Sequence, residues 1–363
     1  MNIPGIKTLD KYIIKKFLGT FVYSIILIIS IAIVFDFAER LDDFIDGHAP
    51  FKNIIFDYYL NFIPYFINLF SYLFVFISVI FFTSKMAQNT EIIAILGNGI
   101  SFRRFMRPYF ISATIIAVFS FLLANFVIPY SNKKKLDFEY KYIRNPFRND
   151  EINIHRQIEH GVFVYLENYS VESDIAYKFS VEKFENGKLV SKLMSDMAQW
   201  DSVKNCWRLN NYYIRTIQKD HDNIVQGLTK DTVLNLRPDD FKQRVEIVET
   251  MNYKRLNDFI EEKKLEGSEN IDAFLVHKYQ RMINPLSTFV LTLIGLSVSS
   301  RKVRGGIGMH LGIGLLLSFA YILFMQVSTN MSIGGTLPPI LGVSIPTIIF
   351  TVIALFLYKL TPK

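Results

Sequence analysis

The chain has 363 residues, a formal charge of +7, 33 phenylalanines, half its residues hydrophobic and a mean hydropathy of +0.24. Length alone would suit two or three soluble domains, but this composition excludes a disordered or fibrous chain and is high for a soluble one. The single cysteine, Cys206, excludes an intramolecular disulfide and a cysteine metal centre.

Five stretches contain no Asp, Glu, Lys or Arg: Phe17 to Phe35, Tyr58 to Ser84, Pro108 to Asn132, Met282 to Ser300 and Gly305 to Tyr358. A bilayer-spanning helix needs about 20 predominantly apolar residues. The last stretch is too long for one helix and is interrupted at Ser332 to Pro339, where Gly permits a turn and paired prolines stop or start helices. Splitting it at roughly 307–328 and 339–358 gives six spans.

The first span follows a basic segment carrying +3 and leads into an acidic one, Asp36 to Asp57, carrying −4. No small-residue cleavage site follows it, so it is expected to be retained rather than removed as a signal peptide. Between spans two and three the segment carries +3, between four and five +3, and after six +2. Lys and Arg in short loops mark the cytoplasmic side, which places both termini in the cytoplasm and the long segment after span three outside it.

The loop between spans two and three holds a short helix at about 89–100. Asn89 or Thr90 suits its N-cap and Glu91 its first turn, and Ile92, Ile95 and Leu96 form one apolar stripe before the stop at Gly97 to Ser101. The pattern suits insertion into a groove on a soluble partner and equally a helix lying on the membrane interface, with Arg103, Arg104 and Arg107 at the headgroups.

The outer segment predicts β-structure. Val162 to Leu166, Tyr177 to Phe184, Leu189 to Leu193, Cys206 to Leu209, Tyr212 to Ile217 and Val233 to Leu236 are short β-branched or aromatic runs, and Asn186-Gly187 suits a tight hairpin turn. Regular short strands favour a sandwich or jelly roll. After Pro238, Leu256, Phe259, Ile260 and Leu265 recur at helical intervals and predict a surface helix returning to span four. The resulting organisation is 1–132 for spans one to three, 133–250 for the β-domain, 251–281 for the helical return and 282–363 for spans four to six.

Catalysis finds little support. The phosphate-cradling GxxxxGK[ST], the zinc-binding HExxH and the nucleophile turn GxSxG are all missing. His155 and His160 are near each other, but a separation of five on a strand puts them on opposite faces. Gly308 and Gly312 have the spacing by which membrane helices pack closely, a better account of that glycine run than a nucleotide loop. The uncharged interiors hold amides such as Asn61, Asn68, Asn125, Gln326 and Asn330, expected to bond between helices. Ion-coupled pumps use a buried ionisable group as a relay, so its absence there argues against secondary transport.

Several motifs, taken in order, resemble one family. They are Leu9-Asp10-Lys11-Tyr12-Ile13, Glu91 to Ser101, Pro129, Phe163-Val164-Tyr165, Trp207-Arg208-Leu209, Asn284-Pro285-Leu286, and Leu337-Pro338-Pro339 with Pro346. The chain is similar over nearly its whole length to the lipopolysaccharide export permeases LptF and LptG, the YjgP/YjgQ family, with the Leu-Asp-Lys-Tyr start and the Pro-Pro entry leaning toward LptG. The resemblance implies a membrane α-helical protein with six transmembrane helices (3+3) and an inserted periplasmic all-β jellyroll-like domain. It further implies an inner-membrane permease, without enzymatic activity or bound cofactor. That permease extracts lipopolysaccharide and passes it through its β-domain to an LptC/LptA-like periplasmic bridge, with the acyl chains sliding between spans one and five. The implied partners are a paralogous LptF/LptG subunit and an LptB-like ATPase dimer that carries the ATP and Mg; no nucleic acid is involved.

In that family the cytoplasmic helix is the coupling helix, which turns the open choice above toward ATPase docking through Glu91, Ile92, Ala94, Ile95, Leu96, Gly99, Ser101 and Arg104. Gly97 stands where many members have Ala; Gly costs roughly 1 kcal/mol in a helix interior, so the helix is expected to end a turn early. Many relatives carry Lys near the outer end of span one, where this chain has Asp36, Glu39, Asp42 and Asp43. The candidate substitute headgroup contacts are Arg40, Lys133, Lys134, Lys135, Lys141 and Arg144, cations suited to lipid phosphates, although Lys133 to Lys135 suit equally an interfacial anchor against the bilayer's own headgroups. Another lipid or lipoprotein exporter, or a scaffold with a periplasmic sensor, are the alternative functions.

Overall fold

The computed structural model describes residues 7–143, 153–218, 221–238, 241, 245–268, 270–300 and 306–361. The chain divides into two units, a helical one (Met1–Ile143, Val248–Tyr253 and Asp272–Lys363) and a β-rich one (Arg144–Ile247 and Lys254–Ile271).

Among the described residues, six helices are long and apolar enough to cross a membrane. They are α1 (Thr8–Glu39), α3 (Phe51–Gln88), α5 (Phe102–Tyr142), α7 (Ile271–Ser299), α8 (Gly306–Ile333) and α9 (Pro339–Leu360). Between them come the short α2 (Leu41–Asp46) and α4 (Glu91–Gly97), and α6 (Tyr253–Glu266) follows the strands. The interruption predicted near 332–339 separates α8 from α9: Gly335 turns at φ +73°, and Pro338 leads into α9.

Two expected boundaries move. The third span runs on to Tyr142, so Lys133 to Lys141 lie on a helix and not in the β-domain; the fourth begins at Ile271, well before Met282. Charged residues end an apolar stretch without ending a helix, because side chains beyond the bilayer core are solvated while the backbone ladder continues.

Helix α1 buries Ile13, Phe17, Phe21, Ile25 and Ile29 on one narrow row, packed with Phe74, Val75, Val79 and Phe82 of α3 and Phe105 and Tyr109 of α5. Much of the other side of α1, including Tyr23, Ile26, Val34 and Phe35, is exposed. Such a surface is stable only against lipid or another apolar chain.

The amides of the uncharged stretches behave differently from expectation. Asn61 Nδ2 donates to the carbonyls of Phe56 and Asp57 at 2.9 and 3.0 Å, and Asn125 Nδ2 donates to Phe121 O at 2.9 Å, all within one helix. Both sit at π-helical turns, Ile54–Tyr59 and Leu123–Val127, where the widened backbone leaves carbonyls to be satisfied. Asn68 alone bridges helices as predicted, accepting from Ser120 Oγ at 2.5 Å. Gln326 and Asn330 bond to each other along α8.

Helix packing by glycine also falls elsewhere. Gly308 and Gly312 have nothing within 4 Å of where a side chain's first carbon would sit, so they make no close packing among the described residues. Gly314 instead lies directly against Ile80 of α3, Gly295 against Val79 and Phe76, and Gly342 against Ser332.

The β-rich unit contains β1 (Ile154–Glu159), β2 (Val162–Leu166), β3 (Asn168–Ser170), β4 (Ile175–Glu185), β5 (Lys188–Asp201), β6 (Cys206–Ile217) and β7 (Asp222–Thr232). All pairings are antiparallel, in the order β1-β2-β4-β5-β6-β7 with β3 beside β4. This is the all-β domain the family architecture implies, a single antiparallel sheet among the described strands in which β2 and β3 both lie against β4. Apart from β2 with β4, the paired strands are neighbours in sequence; the β4–β5 turn has both Asn186 (φ 49°) and Gly187 (φ 75°) left-handed, as the Asn-Gly pair predicts.

Cys206 to Ile217, expected as two strands, forms one, with Asn211 at φ 53° as a kink that both neighbouring strands skip. Val233 to Leu236 lies outside the sheet, and the last strand is instead the polar, mostly exposed β7. The core gathers around Trp207, fully buried, whose Nε1 donates to Leu236 O at 2.8 Å amid Tyr169, Phe179 and Phe241. His155 lies against the Tyr165 ring at 4.8 Å, and His160 sits in the β1–β2 turn.

Candidate functional site

The short helix α4 is held at one end of the helical unit. Thr90 precedes it in a left-handed conformation (φ 61°) and caps nothing; its hydroxyl bonds to Asn89 O at 2.6 Å. The helix ends at Gly97, and Gly99 turns the chain at φ +80°. Ser101 then caps α5, accepting from the Arg104 amide at 3.3 Å.

The orientation of α4 corrects the predicted docking stripe. Ile92 is buried, and Ile95 and Leu96 pack against the core formed by α1, α3 and α5, so the stripe seats the helix on its own protein. The face turned outward consists of Ile93, Ala94, Gly97 and Asn98, with Glu91 half-exposed at its start.

Two residues of α1 that the sequence offers only as part of a motif organise this end. Tyr12 Oη donates to Glu91 Oε2 at 3.1 Å, and Asn89 Nδ2 donates to Glu91 Oε1 at 3.3 Å. Asp10, only 2% exposed, receives both Arg104 nitrogens at 2.6 and 2.5 Å and the Lys7 amide at 2.9 Å. A parallel two-bond fork is among the stronger polar contacts available to a protein. Arg104 therefore tethers α5 to α1. The available signal was Asp10, a lone acid among four lysines at the mouth of an apolar helix.

The predicted headgroup cations sit at the opposite end and are not one cluster. Arg40 pairs with Asp36 at 3.2 Å and lies 5.7 Å from the Tyr58 ring. Lys135 pairs with the buried Glu139 at 3.5 Å and lies within 6.0 Å of the Tyr58, Phe62 and Tyr65 rings. Both cations thus flank Tyr58 and are committed internally. Asp36 also accepts from the Tyr58 and Tyr59 hydroxyls at 3.2 and 3.1 Å, so this one carboxylate at the end of the first span is engaged within the protein. Lys133, Lys134 and Lys141 are exposed, the last two over Tyr130 and Tyr142; Arg144 lies outside the described residues.

Comparison with known proteins bears on both ends together. Residues 11–360 match the family described as Lipopolysaccharide export system permease LptF/LptG. This chain belongs to that family. The permease is similar to the Lipopolysaccharide export system permease protein LptG of Escherichia coli K12, 19% identical over 360 residues that cover 96% of this chain and 97% of the relative. It is also 20% identical to LptG of Haemophilus influenzae over 353 residues, with the same coverage. Both relatives lie on the LptG side to which the motifs lean. A multi-pass inner-membrane permease with a central antiparallel β-domain is the architecture this family membership and the six spans establish.

Proposed function

We propose that this permease is one half of an ATP-driven lipopolysaccharide exporter. It takes lipopolysaccharide from the outer leaflet of the inner membrane and passes it by way of the β-domain to an LptC/LptA-like periplasmic bridge. A paralogous LptF/LptG-family chain forms the other half, and an LptB-like ATPase dimer in the cytoplasm supplies the energy, binding the ATP and Mg. This chain itself carries no cofactor, both its termini are cytoplasmic and its β-domain is periplasmic. The family match over residues 11–360 supports the cargo and system; the basic segments beside α4 support the orientation.

The observation that carries the energy coupling is the outward face of α4, Glu91 with Ile93, Ala94 and Gly97, on a helix whose other side is seated in the bundle. A small apolar helix face led by one carboxylate suits a groove on a soluble partner. The exposed Lys133, Lys134 and Lys141 are the remaining candidates for contact with the anionic headgroup.

The test is co-purification with the ATPase and lipid-stimulated ATP hydrolysis. Glu91→Lys is expected to lower both by roughly tenfold, the scale of one lost charge-assisted contact. Tyr12→Phe, which removes one internal partner of Glu91 and leaves Asn89 in place, is expected to retain the complex. Full retention of complex and activity in Glu91→Lys would overturn the docking role.

A further inference from the structure

At the end of the helical unit away from α4, where α7 begins and α8 ends, α3, α5, α7 and α8 enclose a cavity of about 350 Å3. Its volume falls in the range of small-ligand sites. Among its lining residues are Tyr65, Tyr72, Glu249, Arg281, Asn284 and Thr329.

The polar groups there are built in. Arg281 donates from its two terminal nitrogens to Met251 O and Val248 O, both at 2.7 Å. Those carbonyls fix the guanidinium and use two of its five N–H groups. Glu249 is positioned by Asn132 Nδ2 at 3.0 Å. Among the described residues, the Asn284 side-chain oxygen and the Thr329 hydroxyl are buried without a hydrogen-bond partner, Thr329 being 7% exposed. Buried polar atoms are ordinarily paired, and those at membrane depth line cavities with polar contents. Apart from His277, the charged lining is one guanidinium and one carboxylate. Their fields cancel for a net anion, whereas a ligand with both signs is matched at each end.

We propose that this cavity binds the headgroup of a zwitterionic phospholipid bearing a primary ammonium. The phosphate takes the remaining Arg281 donors. The ammonium has three N–H donors and meets three oxygens, from Glu249, Asn284 and Thr329, with the Tyr65 and Tyr72 rings beside it. The site is a resident-lipid site, distinct from the handling of exported cargo, and stands whatever that cargo is.

Phosphatidylcholine separates charge from donor count, because its quaternary ammonium has the same charge and no N–H. The full chain, purified with its co-expressed partners, is presented with phosphatidylethanolamine, phosphatidylcholine or phosphatidylglycerol, and retained lipid is read by native mass spectrometry. Phosphatidylethanolamine is expected to be retained about tenfold over each of the others, and Asn284→Leu or Thr329→Val to remove that preference with the thermal midpoint preserved. The lipid comparison on the unmodified protein decides the matter even where a variant folds poorly. Equal retention of the three lipids, a preference surviving both substitutions, or an adduct with the mass of a free headgroup overturns the proposal.

Discussion

Asp10 and Arg104 show how much depends on single side chains in a protein whose spans are almost free of charge. The carboxylate is nearly fully enclosed and its only described side-chain partner is the guanidinium fork. Arg104→Ala leaves that carboxylate without its cation and is expected to cost about 1–3 kcal/mol, read as a lowered thermal midpoint of the purified protein. Arg104→Lys keeps the charge but cannot make two parallel bonds, so it is expected to recover only part of the loss. A Lys variant no better than Ala would mean that the fork's charge is not what holds α1 to α5. The same residue scale explains why the predicted lipid cations split. Lys133, Lys134 and Lys135 are adjacent in sequence, but on a helix adjacent residues point in different directions, and only Lys135 turns toward Tyr58 and Glu139.

Among the elements, α4 and β7 are the two whose roles were hardest to read from pattern. The stripe Ile92, Ile95, Leu96 was legible as one face; which body it faces is a tertiary fact, and here it is the chain's own core. Strand β7 carries almost no apolar alternation because it is exposed along nearly all its length, so the period-two signal is absent. Polar ties hold it instead. Asp231 receives hydrogen bonds from Lys204 at 2.8 Å and from Arg208 at 3.3 Å, and these hold its carboxyl below the usual carboxylate value. A depressed folded-state value means the tie is fully present above the unfolded value of about 4 and is lost as pH falls through the lower folded one. Amide exchange in β7, corrected for intrinsic rates, is therefore expected to accelerate as pH drops below about 4, and Asp231→Asn to flatten that dependence. An unchanged profile in the variant would assign the acid sensitivity to other groups.

For the whole molecule, the position of close helix contacts separates internal packing from surfaces left for another chain. Gly314 lies against Ile80, so Gly314→Val is expected to destabilise the protein by about 1–3 kcal/mol through overpacking. Gly308→Ala and Gly312→Ala meet open space and are expected to leave the single chain as stable or slightly more so. If those alanines nevertheless reduce recovery of the complex with a paralogous permease, the glycine face belongs to that interface; unchanged recovery would leave it to lipid. Size-exclusion yield of the complex, read beside the melting of the single chain, separates the two.

The six spans, the break before the last one, the Asn-Gly hairpin and the return helix were determined by sequence alone. Each is written in a local pattern: an uncharged run of bilayer length, a Gly and Pro cluster, two residues that tolerate positive φ, an apolar period near 3.6. Family membership was legible for a related reason, since the motifs occur in a fixed order along the chain. Only the tertiary structure decided which face of α4 is free, which cations remain unpaired at the far end, which glycine meets a neighbouring helix, and that Arg281, Glu249, Asn284 and Thr329 share one cavity. These depend on residues tens to hundreds of positions apart meeting in space, and no local period of charge or hydropathy encodes such a meeting.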